Sequence, residues 1–264
     1  MAFDNRRDER DGSPGSVAGP WGPPQSAPAG QRPAWSDYFI RNKLSAVMFV
    51  VICLSVGVRM YRDLSTPDAW AYWKDQYFSP SMTSSLTTIT SLDGSGRRGP
   101  ALVVRGEIGP AAANWFRDRI DEAHLKSGDA VLLSSPGGNL DQAIIIGEII
   151  RSRGLDTAVG TIDGAGKVAP SYCASACVLA YAGGKARFGV AGSRLGVHRF
   201  VTTRPADDPV ADTQRTTGAL LNYFAKMGVS PSVLEAMSAT SDIRWLSVKE
   251  AEAMKLITAP VGHS

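Results

Sequence analysis

Three cysteines and three histidines are all that the 264-residue chain offers as soft metal ligands, and none stands at zinc spacing. Cys173 and Cys177 have no partner cysteine or histidine at a matching interval, so neither a metal nor an organic cofactor is implied. No G-x-x-x-x-G-K-[ST] and no G-x-G-x-x-G occurs, which argues against nucleotide binding. Basic runs are missing as well: 28 Lys and Arg are interspersed with 25 Asp and Glu, for a formal charge of +3. Without a basic stripe interleaved with aromatics, no nucleic-acid partner is expected. No internal repeat is visible, and uncharged apolar runs are nearly absent. At 44% hydrophobic content the chain has material for one good-sized core.

The exception is "LSAVMFVVICLSVGV", residues 44–58, which carries no charge and is flanked by Arg41, Lys43, Arg59 and Arg62. It is short against the roughly 20 residues of a membrane span. With Phe39, Ile40 and Met60 contributing and the flanking cations reaching for headgroups, it suffices. No A-x-A-like site follows it, and Cys53 is preceded by Ile52 rather than a small residue. Both facts argue against a cleaved leader. Residues 37–62 are therefore read as one transmembrane signal anchor, a buried core helix being the alternative. Residues 1–36, rich in Pro, Gly, Ser and charge, read as a disordered tail. Positive charge on the two sides is nearly balanced. An early anchor usually leaves its short tail inside, and paired cysteines suit an oxidising space. The expected placement is the inner membrane of a bacterium, N-terminus cytoplasmic and C-terminal domain periplasmic.

Residues 63–100 read as a connecting helix and strand. "TPDAWAYWKDQYF" has Pro67 in its first turn, and "SSLTTITSLDGSG" ends in an Asp-Gly turn. Trp70, Tyr72, Trp73, Tyr77 and Phe78 suit either a belt at the membrane surface or packing on the domain. From residue 101 to 264 strands and helices alternate: "ALVVRGEI", a helix "AAANWFRDRIDEAHLKSG" closed by Gly128, "AVLLSS", a helix "NLDQAIIIGEIIRSRG" with Leu140, Ala143, Ile144 and Gly147 on one face, then "DTAVGTI". That alternation is the signature of an α/β domain with a largely parallel, covered sheet.

Two connections carry residue types chosen for backbone geometry. In "SSPGGNL" Gly137 and Gly138 allow conformations and close approaches denied to other residues, at the start of a helix whose N–H groups suit an oxyanion. An ordinary βα turn is the alternative. In "SYCASACVLAYAGG" Ser175 is flanked by Ala174 and Ala176, which permit the sharp bend of a nucleophile elbow. Downstream, "ARFGVAGSRLGVHRF" ends strand-like segments at His198, whereas His124 lies on a charged helix and His263 in the terminal tail.

Taken in order, "LVVRGEIGPAAANWF", "VLLSSPGGNLDQAIIIGEIIRSRG", "CASACVLAYAGGKARFGVAGSRLGVHRF" and "WLSVKEAEAMKLI" resemble the proteolytic subunit of the Clp protease and its periplasmic and membrane-bound relatives in the ClpP/crotonase superfamily. The resemblance covers residues 101–258. It implies a ββα spiral core, a serine peptidase acting on peptide or protein segments, and a homo-oligomer. Its residue pattern makes Ser175 the nucleophile, His198 the base, and the Gly138 and Ala176 amides the oxyanion hole. The chain departs from the pattern at the third triad position, where Ile243 replaces the family's aspartate and the acid, Asp242, comes one residue earlier. Asp242 is the candidate to orient His198; Asp207, Asp208 and Asp212 are the other acids considered. Two further readings stay open: a catalytically silent, membrane-tethered binding or assembly module, and a Ser-Lys enzyme like the signal peptide peptidase A group with Lys167 or Lys185 as base. In the resembled region "DTQRTTGALLNYFAKMG" places Leu220, Phe224 and Met227 on one helical face, and "SPSVLEAMSA" has Ser230 as cap and Pro231 in the first helical position. With a helix starting near Ser175, Cys173 and Cys177 fall within disulfide range. Two buried thiols, or a cysteine nucleophile, are the alternatives.

Overall fold

The computed structural model describes residues 43–200 and 208–262. The expected tail, residues 1–36, lies outside them, as do the first residues of the anchor. The chain divides into two units, Met1–Met60 and Tyr61–Ser264. Helix α1, Lys43–Leu64, is 22 residues long, about 33 Å at the α-helical rise. A bilayer's hydrocarbon core is about 30 Å thick, and Ser45–Leu64 is long and apolar enough to cross it. Val47, Ile52 and Val56 are all more than half exposed.

In Tyr61–Ser264 the main sheet has the order β1-β2-β3-β4-β8-β11. Its strands are β1 (Met82–Thr90), β2 (Arg98–Gly106), β3 (Ala130–Ser134), β4 (Asp156–Val159), β8 (Arg187–Val190) and β11 (Ala259–Gly262). Strand β1 is antiparallel to β2 and the rest run parallel. The crossovers are α3 (Ala112–Ala123) between β2 and β3 and α4 (Leu140–Ser152) between β3 and β4. Alternation along the strands divides the core. Leu102, Val104, Val131 and Leu133 pack with Phe116, Ile120, Ile146 and Ile150 of these helices, while Val103, Leu132, Ala158 and Phe188 line the opposite face. The short hairpin β5 (Thr161–Ile162) and β6 (Val168–Ala169) adds Ile162 and Val168 there. Such two-sided burial is what parallel strands require.

A second sheet, β10-β9-β7, is formed by β7 (Tyr172–Ala174), β9 (Arg194–Val197) and β10 (Arg244–Leu246). Four more helices complete the unit after helix α2 (Pro67–Trp73): α5 (Cys177–Ala182), α6 (Pro209–Lys226), α7 (Ser232–Ser238) and α8 (Val248–Ala253). Side-chain caps start several of them. Asn139 accepts from Gln142 N at α4, Asp208 from Ala211 N at α6, and Ser247 forms a capping box with Glu250 at α8.

Several sequence expectations shift on the structure. Residues 63–100, expected to connect anchor and domain, supply the edge strand β1, which pairs with β2 over nine residues. A π-turn at Lys74–Phe78 continues α2 and buries Asp75, whose carboxylate accepts from Ser81 N at 2.7 Å and Ala111 N at 2.9 Å. The segment after α2 is thereby tied to the start of β1 and to the entrance of α3. Helix α3 ends at His124, which adopts the left-handed conformation, and not at Gly128. The buried face of α4 is Ala143, Ile146, Gly147 and Ile150, a rotation away from Leu140 and Ile144. Gly147 is on it because a Cβ there would meet the Tyr223 hydroxyl. Strand β4 breaks from β5 at Gly160. Helix α7 starts one residue later than expected, with Pro231 in the cap position and Ser230 Oγ accepting from Ser232 N. Leu220, Phe224 and Met227 are buried in the chain's own core. The aromatics of residues 70–78 divide: Tyr72 OH accepts from Asn114 Nδ2, while Trp70, Tyr77 and Phe78 are exposed.

Candidate active site

Strand β7 delivers Ser175. It runs parallel to β9 with Ala174 opposite Gly196, and the Ser175 amide donates to the Gly196 carbonyl at 2.8 Å. One residue later the chain turns into α5, with Ala176 in the cap position. The turn requires Ser175 to take φ +56°. Among the described residues two other non-glycine residues have positive φ, His124 and Lys255. Both follow the ends of helices, where a left-handed residue ordinarily satisfies terminal carbonyls. Ser175 instead enters a helix, where no cap explains the conformation. A side chain there costs about 1 kcal/mol, so the bend is held by its surroundings. Ser175→Gly is accordingly expected to unfold 2–4 °C higher than Ser175→Ala, by the rule of roughly 2–4 °C per kcal/mol for a domain of this size. Thermal melts of the two variants check this, and equal midpoints would show the bend to be unstrained.

The surroundings are specific. Cys173 and Cys177, both buried, form a disulfide across the bend with Cα atoms 5.3 Å apart. Cys53, on α1, is exposed and free. From the other side comes the loop between β3 and α4. Ser135 N donates to Tyr172 O and Ala174 N to Ser135 O, so the loop is stitched to β7 just before the elbow. Gly137, at φ +102°, lies so close that a Cβ would come within 2.7 Å of the Ser175 Cβ. Gly138 follows at φ +135°, pressed on Ile108: Ile108 N donates to Gly137 O and Asn139 N to Ile108 O, each at 2.7 Å. Neither the Gly138 amide nor the Ala176 amide donates a hydrogen bond among the described residues. Among the described residues the amide that follows the serine and the one that follows Gly137 are thus without acceptors, and both come from connections that the sequence marked by residue type.

His198 follows directly on β9, two residues beyond Gly196, and is half-buried. Its Nδ1 lies 2.7 Å from the Arg199 carbonyl. A carbonyl only accepts, so Nδ1 is the donor in this contact. Among the described residues no hydrogen bond joins Ser175 Oγ to His198. Asp242 is exposed, and its backbone closes a turn with the Thr240 hydroxyl: Asp242 N donates to Thr240 Oγ1 and Thr240 Oγ1 to Asp242 O. Its carboxylate makes no bond to His198 there. One residue past the last β9–β10 pair, Arg244 with Val197, stands Ile243. Its side chain lies against Gly196, where a Cβ would approach it to 2.6 Å. Asp208 caps α6 and Asp212 pairs with Arg215, while Asp207 lies outside the described residues. Lys185 is past the far end of α5 from Ser175, and Lys167 is in the β5–β6 hairpin. Among the described residues no cluster of three His, Cys, Asp or Glu side chains is arranged to hold a metal ion. The Arg199 carbonyl is a contact that sequence reasoning missed; a main-chain atom leaves no residue-type signal.

In fold the chain is similar to ClpP1. ClpP1 from Listeria monocytogenes matches with 18% identity over 62% of this chain and 92% of that one, at a TM-score of 0.47. An asparagine-to-aspartate mutant of the same protein gives 17%, 62%, 91% and 0.46. A serine-to-alanine mutant of the membrane-bound stomatin-specific protease 1510-N gives 15%, 61%, 77% and 0.47. At these identities the likeness extends to the fold alone. No family model and no curated protein matches the chain.

Proposed function

We propose that the chain is a membrane-anchored serine peptidase whose site is a Ser175–His198 pair with the Gly138 and Ala176 amides as oxyanion hole. The observation that carries this reading is the positive φ of Ser175 at a strand-to-helix bend, supported by the Gly138 and Ala176 amides having no acceptor among the described residues. An unassisted hydroxyl is a poor nucleophile at neutral pH. His198 Nε2 takes the Ser175 proton as Oγ attacks the scissile carbonyl, and the resulting oxyanion accepts from the Gly138 and Ala176 N–H groups. Collapse transfers the Nε2 proton to the leaving amine and leaves an acyl ester on Ser175, which water then hydrolyses with the same base. The Arg199 carbonyl fixes the tautomer that a carboxylate would fix. It offers the imidazolium only a partial negative charge, so turnover is slower than with a full triad, and Asp242 need not take part.

Helix α1 anchors the chain, and the exposed Trp70, Tyr77 and Phe78 sit at the lipid interface. The disulfide at the elbow supports a domain on the oxidising, periplasmic side, with the tail cytoplasmic. We further propose that the domain works as a homo-oligomer on peptide or protein segments. Labelling of the membrane-embedded protein by a fluorophosphonate probe tests the site. Labelling is expected in the wild type, lost in Ser175→Ala and slowed at least a hundredfold in His198→Ala, within the range general base catalysis contributes. An unlabelled wild-type protein would favour a silent tethered module. Labelling that persists in His198→Ala and vanishes in Lys185→Ala or Lys167→Ala would favour the Ser-Lys reading.

A further inference from the structure

The small sheet β10-β9-β7 has one face in the core and one turned out. Cys173, Leu195 and Leu246 are buried, and the residues alternating with them share the other face, on which Tyr172, Arg194 and Trp245 are exposed while Ala174 and Gly196 are covered. On it lies an open groove of about 440 Å³, lined among others by Pro136, Tyr172, Ala174, Arg194, Ile243 and Trp245. The aromatic walls are well defined: Tyr172 and Trp245 meet edge to face at 6.1 Å, and the Arg194 guanidinium lies over the indole at 5.1 Å. Gly196 keeps the floor low, because a Cβ there would collide with Ile243 and Trp245. Yet Tyr172, Ile243 and Trp245 remain 44%, 43% and 39% exposed, a concentration of large apolar surface that isolated surface residues do not produce. Among the described residues no acidic side chain lines the groove, and one cation does.

We propose that this groove is the subsite for a large apolar side chain of an extended peptide that carries an acidic residue beside it. The inference rests on the peptidase reading of Ser175. Its position makes the case: Ala174 immediately precedes the nucleophile, and Pro136 immediately precedes the glycine pair. In the proposed complex a substrate chain with its scissile carbonyl at Ser175 continues over the end of β7 and the β3–α4 loop, so that the groove, which Ser175 and His198 do not themselves line, takes a neighbouring side chain. That side chain gains apolar contact with Tyr172, Ile243 and Trp245, as aromatic-walled anchor sites provide. The cation over the indole adds charge complementarity for an adjacent carboxylate.

Binding to full-length Ser175→Ala protein in nanodiscs separates the subsite from the chemistry. The probes are fluorescein-labelled decapeptides of alternating Ala and Ser whose central pair is Phe-Glu, Phe-Lys or Ala-Ser, followed by fluorescence anisotropy. The Phe-Glu peptide is expected to bind at least about tenfold more tightly than the Ala-Ser peptide, the scale of one apolar anchor. Trp245→Ala is expected to erase that preference, while Arg194→Gln removes only the preference of Phe-Glu over Phe-Lys. If Trp245→Ala fails to fold by circular dichroism, the half-exposed Ile243→Ser replaces it. Equal affinities for the three peptides, or a preference untouched by these variants, overturns the inference. So does peptide-insensitive self-association that Trp245→Ala disrupts, which would make the face a contact between copies. Fluorophosphonate labelling of the wild type is read separately. A peptide preference without labelling defeats the peptidase reading alone, and labelling without a preference defeats the groove alone.

Discussion

Gly138→Ala is expected to slow fluorophosphonate labelling of Ser175 by about a hundredfold to a thousandfold, the usual cost of losing one oxyanion donor. A Cβ at this position would come within 2.3 Å of the Ile108 carbonyl oxygen, a main-chain atom that cannot swing away. The φ of +135° is also one that a side chain resists. The loop must then shift, and the hydrogen bonds that Ile108 makes with Gly137 and Asn139 hold the Gly138 amide where it is. Gly128 is the control. It too has a positive φ, +89°, but a Cβ there meets nothing within 4 Å. Gly128→Ala should therefore lower the melting temperature by a few degrees, at about 1 kcal/mol of strain, and label at the wild-type rate. Equal labelling rates for the two variants would remove Gly138 from the oxyanion hole.

The largest loss of stability is expected from Arg187→Met. Arg187 begins β8 and is 2% exposed, without a carboxylate partner among the described residues. Its guanidinium donates instead to five main-chain carbonyls: Leu256, Ala182, Gly184, Met227 and Lys255. These carbonyls belong to, or directly follow, the C-terminal ends of α5, α6 and α8. Helix C-termini present unpaired carbonyls and partial negative charge, and one cation satisfies three of them at once. Arg151 adds a second cation at Ala182 and Met227. Burial, reinforced by the charge of Arg151, draws the Arg187 pKa down to about 10, which leaves it fully charged at neutral pH. Methionine fills comparable space but strands the acceptors; an unsatisfied buried acceptor costs about 1–3 kcal/mol, so losing several at once costs about 3–5 kcal/mol. A melting temperature lower by about 10 °C follows for a domain of this size. Arg187→Lys should recover little of it, since an ammonium cannot span carbonyls held in a planar fork. Circular dichroism melts decide the matter: a loss below about 2 °C would mean that water or Arg151 replaces the guanidinium.

The elements that depend on neighbours in the chain were legible in the sequence. The strand–helix alternation from β2 to β4 and the two special connections at Gly137–Gly138 and Ser175 follow from periodicity and from what a missing or small Cβ permits. The disulfide belongs in this group too, because four residues of separation across one bend leave little freedom. Other features had no local signal. Strand β11 comes from "APVG", which has no strand pattern and acquires one only by lying parallel to β8. Helix α3 stops at His124 while Gly128 serves a later turn, its amide donating to Gly154 O. Asp242 is one residue from Ile243 in the sequence, but the ladder puts Ile243 against Gly196 and turns the His198 ring to a backbone carbonyl. Nor does Arg187 in an apolar strand reveal that three helices will end around it. Residue type and spacing determine φ, ψ and which face is apolar. Which acceptor meets which donor across the fold depends on how separate strands and helix ends come together, and only the tertiary structure decides that.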